Sequence, residues 1–191
     1  MGSLISAVAL AKNQIRPMQI VWSSPFFALP PTVLPKWMLV PLLWSLEKLR
    51  CGKIRVDTDY KENEGFALNK LTHCRERYDA YQVHPYRDIQ TTIGWIAASA
   101  RAQQFIRMRS SIEAIVNSRV GIMCLAGTKE KVVGISNLKR YMREIKEQSS
   151  LKTSRLSGDL FWIDGAKHEL LNEEKIYQQE AVQLIKNFLA I

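Results

Sequence analysis

Cysteine is scarce in this chain: Cys51, Cys74 and Cys124 are odd in number and far apart. They make neither a disulfide framework nor a metal knuckle, and they fit a reducing compartment, here the cytoplasm. Long apolar runs are missing too. None reaches the roughly eighteen residues that a membrane span needs, because Lys12, Arg16 and Lys36 interrupt the apolar N-terminal third. Gly2–Leu10 is apolar, but no basic segment precedes it and no convincing cleavage site follows, so it does not read as a signal peptide. Internal repeats and low-complexity tracts are absent. What is present is ordinary for a globular protein: 191 residues, 47% hydrophobic and 24% charged. Disordered and collagen-like structure are excluded, and the length suits one domain or a large piece of one.

The charge is less ordinary, with 27 Lys and Arg against 18 Asp and Glu, or +9. Between Lys129 and Arg155 the basic residues Lys129, Lys131, Lys139, Arg140, Arg143, Lys146, Lys152 and Arg155 outnumber Glu130, Glu144 and Glu147. Part of this run reads as the solvated face of an amphipathic helix, with Leu138, Tyr141, Met142 and Ile145 turned inward. No aromatic residues interleave to form a base-stacking platform, and no nucleic-acid motif occurs, so nucleic acid is not expected as a partner. Peripheral contact with an anionic membrane, the inner membrane, fits the charge better.

Three short apolar runs end in turn residues: Met18–Trp22 before Ser23-Ser24-Pro25, Gly121–Leu125 before Ala126-Gly127, and Leu160–Ile163 before Asp164-Gly165. They read as buried parallel strands. Helical patterns cover Ser3–Ala11, small and apolar on all sides as in a buried helix, then Ile135–Glu147 and Glu173–Leu189. This rhythm predicts an α/β fold of about three parallel strands with flanking helices. The block from Pro25 to Ser118 holds six of the seven prolines and helical patterns over Lys36–Leu49, Leu71–Tyr81 and Thr91–Arg107. It is too long for one crossover and reads as a helical cap. The expected organisation is therefore core over 1–24, cap or lid over 25–118, and core again over 119–191.

Of the three histidines, His73 in a polar helical start and His84 before Pro85 read as surface residues. His168 lies directly after the third strand, where the loops of a parallel sheet gather reactive groups. Glu130 lies in the equivalent loop after the second strand. An acid and a histidine on neighbouring loops form the acid–base half of a catalytic triad. The alternative is one charge in a charged loop and one histidine at a helix start. Spacing alone leaves both open.

Leu125–Val133 and Gly165–Glu173 resemble the acid and histidine loops of the α/β-hydrolase superfamily, and more closely the branch of monoacylglycerol lipases and bacterial lysophospholipases. The similarity to lysophospholipases extends to Leu71-Thr72-His73-Cys74-Arg75-Glu76-Arg77-Tyr78, Ile93-Gly94-Trp95-Ile96 and Val21-Trp22-Ser23-Ser24-Pro25-Phe26. The resemblance implies a carboxylic ester hydrolase acting on a lysophospholipid or monoacylglycerol-type substrate. His168 would be its general base and Glu130 the acid that orients it, with no cofactor and no metal. The apolar stretch from Pro25 to Trp44, with Trp37 and Trp44, suits either a cap that admits one acyl chain or ordinary packing of cap on body.

The sequence departs from that pattern in one respect. The nucleophile of these enzymes sits in a Gly-x-Ser-x-Gly elbow, and no such pentapeptide occurs here. Met1-Gly2 resembles the last two residues of the elbow, and Ser3 then falls after it. The resemblance thus implies the C-terminal part of the fold, truncated just after the nucleophile serine, without the oxyanion-hole loop, and inactive alone. A non-catalytic fragment or interaction protein, or a basic module binding anionic lipid or nucleic acid, stands as the alternative.

Overall fold

The computed structural model describes residues 1–29, 36–56, 65–84, 91–151 and 158–190. Pro30, Pro31, Pro35, the side chain of Trp37, Pro85, Lys152 and Arg155, which figure in the sequence reading, lie outside the described residues. In chain order the elements are α1 (Gly2–Ala11), β1 (Gln19–Ser23), α2 (Lys36–Lys48), α3 (Arg75–Gln82), α4 (Ile93–Ile106), α5 (Arg109–Asn117), β2 (Gly121–Gly127), α6 (Ile135–Leu151), β3 (Gly158–Ile163) and α7 (Lys175–Leu189). Single 3₁₀ turns occur at Cys51–Lys53, Phe66–Leu68 and Leu170–Asn172.

The three strands form one parallel sheet in the order β1-β2-β3, with Gln19 beside Gly121 and Gly127 beside Ile163. The central strand has a partner on each side and alternates strictly. Ile122, Cys124 and Ala126 enter one core with α1, α4, α5 and α6. Met123 and Leu125 enter a second core with α7, through Ala181, Leu184, Ile185 and Phe188. The result is the helix–sheet–helix layering that a parallel sheet needs to cover both faces. Burying each Leu or Ile side chain in these cores contributes about 1.5–3 kcal/mol.

Helix α6 turns Leu138, Tyr141, Met142 and Ile145 into the first core, as its period predicts. On its outer face Arg140 pairs with Glu144, Arg143 with Glu147 and Lys146 with Asp159, and the Lys139 ammonium lies 4.8 Å from the Trp162 ring. Part of the basic run is thus engaged within the fold. A third cluster joins Leu43 of α2 to Ile93 and Ala97 of α4. The other end of α4 joins the main core at Ile106, and its buried Gln103 holds the chain that leaves β1. Gln103 Oε1 accepts from Leu29 N at 2.9 Å and its Nε2 donates to Phe26 O at 3.1 Å.

Four expectations need correction. Helix α1 is not buried all round: Leu4, Ala7 and Leu10 are buried, but Ile5 is 63% exposed, since only one stripe meets α4 and α5. Strand β1 is less buried than its apolar run suggests: of its five residues only Trp22 is fully buried, in keeping with its place at the edge of the sheet among the described residues. A further helix, α5, follows α4 immediately. The helix expected from Leu71 begins only at Arg75. Before it, Asn69 Oδ1 accepts from both Leu71 N and Thr72 N at 3.0 Å, and Thr72 Oγ1 accepts from Cys74 N at 2.9 Å. Side chains that capture nearby N–H groups in this way hold a loop open against the helix.

Candidate active site at the carboxyl ends of the strands

Parallel strands present their carboxyl ends on one edge, so the loops after β2 and β3 leave the sheet side by side. They are laced together. Thr128 N donates to Ile163 O at 3.0 Å and Lys129 N to Ala166 O at 2.9 Å. The Thr128 hydroxyl donates to Asp164 at 3.0 Å and accepts from Gly165 N at 2.8 Å. Gly165 turns at φ +77°, where a side chain would be strained. Gly127 is required by contact: a Cβ there would lie 2.1 Å from Ala166 O.

This lacing sets Glu130 opposite His168. The Glu130 side chain is 0% exposed, and its Oε1 accepts from Val132 N at 2.6 Å and Val133 N at 3.2 Å. Its Oε2 meets Nδ1 of His168 at 2.6 Å, under a ring that is 22% exposed. Burial alone would push the Glu130 carboxyl up. The hydrogen bond and charge of His168, with the two backbone N–H groups, outweigh it and hold the carboxyl below the usual range. An ionised carboxylate only accepts, so the shared proton belongs to Nδ1, and in the neutral imidazole the lone pair is then left on Nε2. Among the described residues the ring makes no other hydrogen bond. A part-exposed imidazole in that tautomer can take a proton from a nucleophile presented at Nε2.

The first strand contributes Ser24, which sits at φ +40° just past β1, with its N–H on Leu125 O at 2.8 Å and its hydroxyl donating to His168 O at 2.6 Å. The sequence marked Ser24 only as the end of a strand. His73 is part exposed, as a surface residue should be, but it is engaged. It lies in the loop before α3, and its Nδ1 is 3.0 Å from Oε1 of the buried Glu173. Neither residue's role is visible in a periodicity. His84 lies apart, exposed beyond the end of α3, and Ser3 lies in α1, where its carbonyl accepts from the Ser6 hydroxyl. Neither is joined to His168. The cysteines are free thiols, and burial pushes that of Cys124 far up, which leaves it inert. Among the described residues no cluster of His, Cys, Asp and Glu could hold a metal ion, and no helix is long and apolar enough to cross a membrane.

A parallel sheet covered by helices, with an acid and a histidine side by side on its strand-end loops, defines part of an α/β-hydrolase fold. The model of the family described as serine aminopeptidase, S33 matches residues 1–175, and the chain belongs to that family. No curated protein matches the sequence. Among solved structures the chain is similar to a soluble variant of monoglyceride lipase from Saccharomyces cerevisiae in complex with a substrate analog, with TM-score 0.73 and 13% identity over 98% of this chain and 61% of that one. It is similar to the monoacylglycerol lipase of Paleococcus ferrophilus, with TM-score 0.72 and 13% identity over 98% of this chain and 65% of that one. It is also similar to a thermostable carboxyl esterase from Bacillus coagulans in complex with glycerol, with TM-score 0.65 and 14% identity over 98% and 61%. At these identities the likeness is one of fold, and the chain spans less than two thirds of each structure's length.

Proposed function

We propose that this chain carries the acid and the base of a serine ester hydrolase that acts on single-acyl lipids, of the lysophospholipase or monoacylglycerol lipase type. The observation that carries the reading is the 2.6 Å contact between His168 Nδ1 and a buried Glu130, made across two strand-end loops. In this reading Nε2 of His168 takes the proton of a serine hydroxyl as it attacks the ester carbonyl. Glu130 stabilises the imidazolium, which returns the proton to the departing alcohol. A water activated by the same nitrogen then releases the acid from the acyl-enzyme. The nucleophile and the oxyanion hole come from residues outside this sequence, which has no Gly-x-Ser-x-Gly.

Within residues 25–118, α2 and the first turns of α4 act as cap and lid, which their separate apolar cluster supports, while the block's end, from Ile106 through α5, packs into the core with 1–24 and 119–191. The exposed Met38, Leu42 and Leu49, with the net charge of +9, support a cytoplasmic protein in peripheral contact with an anionic inner membrane. A fluorophosphonate probe, which labels an activated serine, tests the reading. The 191-residue chain should stay unlabelled. A chain extended by its upstream coding sequence should be labelled at a serine before Met1, lose the label on His168→Ala, and hydrolyse lysophospholipid or monoacylglycerol rather than an aminoacyl anilide. Labelling within the 191 residues, or none in a folded extended chain, would overturn it.

A further inference from the structure

A second carboxylate beside the histidine loop is more heavily bonded than Glu130. The Glu173 side chain is 0% exposed. Its Oε1 accepts from Lys167 N at 2.8 Å and His73 Nδ1 at 3.0 Å, and its Oε2 from His73 N at 2.7 Å and Glu174 N at 3.2 Å. The Thr72 hydroxyl stands 3.2 Å from Oε2 and 2.8 Å from Asn172 O. A carboxylate that merely began α7 would serve that helix's own N–H groups. Glu173 instead reaches backward to Lys167 and across to the segment before α3.

The position of Lys167 matters because His168 follows it. Three successive residues are held by three different parts of the chain: Lys167 N by Glu173, His168 O by the Ser24 hydroxyl, and Glu169 N by Leu71 O at 2.9 Å. The Lys167 ammonium adds a bond to Thr72 O at 3.3 Å. With the backbone pinned on both sides, the torsions of the His168 side chain are what remain, and Glu130 sets those. The His73 ring rests at 38° to Tyr177, with centroids 5.6 Å apart, and spends Nδ1 on Glu173.

We infer that Glu173, braced by His73, is a positioning residue for His168: it ties the backbone entering His168 to the segment 69–74 and so keeps the imidazole in register with Glu130. This rests on the reading of His168 as the base. A purely structural carboxylate would change stability alone; a positioning one also changes the state of the His168 ring.

The chain has three histidines, so ¹⁵N-histidine NMR resolves each, with His84→Gln and His73→Gln for assignment. Wild-type His168 should show a single tautomer with the proton on Nδ1, lost in Glu130→Gln. In Glu173→Gln, with far-UV circular dichroism unchanged, His168 should become a mixture of both tautomers, and in His73→Gln part of the preference should be lost. Glu173→Asp should restore part of it. An unchanged His168 tautomer in folded Glu173→Gln would overturn the inference. Should that variant not fold, His73→Gln decides, because its ring lies at the rim, and an unchanged tautomer there overturns it equally. A wild-type His168 lacking the Nδ1 proton would instead sink the acid–base reading on which the inference stands.

Discussion

His168 on Glu130 and His73 on Glu173 present nearly the same contact. In each, Nδ1 lies 2.6 or 3.0 Å from a carboxylate that is 0% exposed, under a ring that is 22% or 25% exposed. Their surroundings differ. The second oxygen of Glu130 is satisfied by Val132 and Val133 of its own loop, so the one distant group it serves among the described residues is the imidazole. Glu173 serves backbone N–H groups of His73, Lys167 and Glu174, and the His73 ring is one donor among several. In the first pair the carboxylate is arranged for the ring. In the second the ring is one brace of a carboxylate that holds backbone. A distance between two side chains therefore does not assign a role by itself; the loops that carry the pair and the remaining bonds of the carboxylate distinguish the two.

The widest separation between the pairs should appear in turnover. On the proposed reading, in a chain that also carries the nucleophile, His168→Ala should lower kcat by about 10⁶-fold and Glu130→Gln by about 10⁴-fold, measured by ester hydrolysis. His73→Ala should fall far short of either, and an equal loss would break the comparison. Stability should reverse the order. Glu173→Ala leaves three backbone donors without an acceptor and should cost about 3 kcal/mol or more in urea unfolding. His168→Ala takes one donor from the buried Glu130 carboxylate, which keeps its two backbone N–H groups, and should cost less, about 1–3 kcal/mol.

Gly127→Ala sharpens the first pair alone. Its Cβ would meet the backbone of Ala166 and Lys167 at 2.1–2.5 Å, which the loops can relieve only by parting. The expected loss is about 1–3 kcal/mol, with the His168 Nδ1 proton signal lost as well. A variant as stable as wild type, with that signal intact, would show that the loops are not held by this contact.

The smallest effect is shared by both pairs. Glu130 and Glu173 are each pushed up by burial and pulled further down by their hydrogen bonds, so their folded pKa values lie below the unfolded one. Such a group contributes stability that is complete above the unfolded value of about 4.3 and is lost as pH falls through the folded value. Urea midpoints should therefore drop from pH 6 to pH 3, and less steeply in Glu130→Gln and Glu173→Gln. Unchanged slopes in both variants would mean that other carboxylates carry the acid sensitivity.

Much of the scaffold is legible in the residues themselves. The apolar runs ended by Ser24, Gly127 and Gly165 mark the strands, and the spacing of Leu138, Tyr141, Met142 and Ile145 marks the inner face of α6. Periodicity is local, so it survives without knowledge of neighbours. Where a side chain competes for the backbone, as Asn69 and Thr72 do, the local pattern misleads and the helix starts late. Composition overstates the burial of α1 and β1 for a related reason: it shows what could be buried, whereas Ile5 is 63% exposed and no neighbour among the described residues covers it.

The residues therefore determined by themselves the α/β class, the strand ends and the two loops on which Glu130 and His168 stand. The tertiary structure alone decided that these two meet at 2.6 Å, that the Ser24 hydroxyl holds the His168 carbonyl, and that His73 braces Glu173 from a segment about one hundred residues away. The reason is the reach of the forces involved. Strand and helix propensities act within a few residues, while a hydrogen bond between distant segments exists only after parallel pairing and packing on two cores have brought their backbones together.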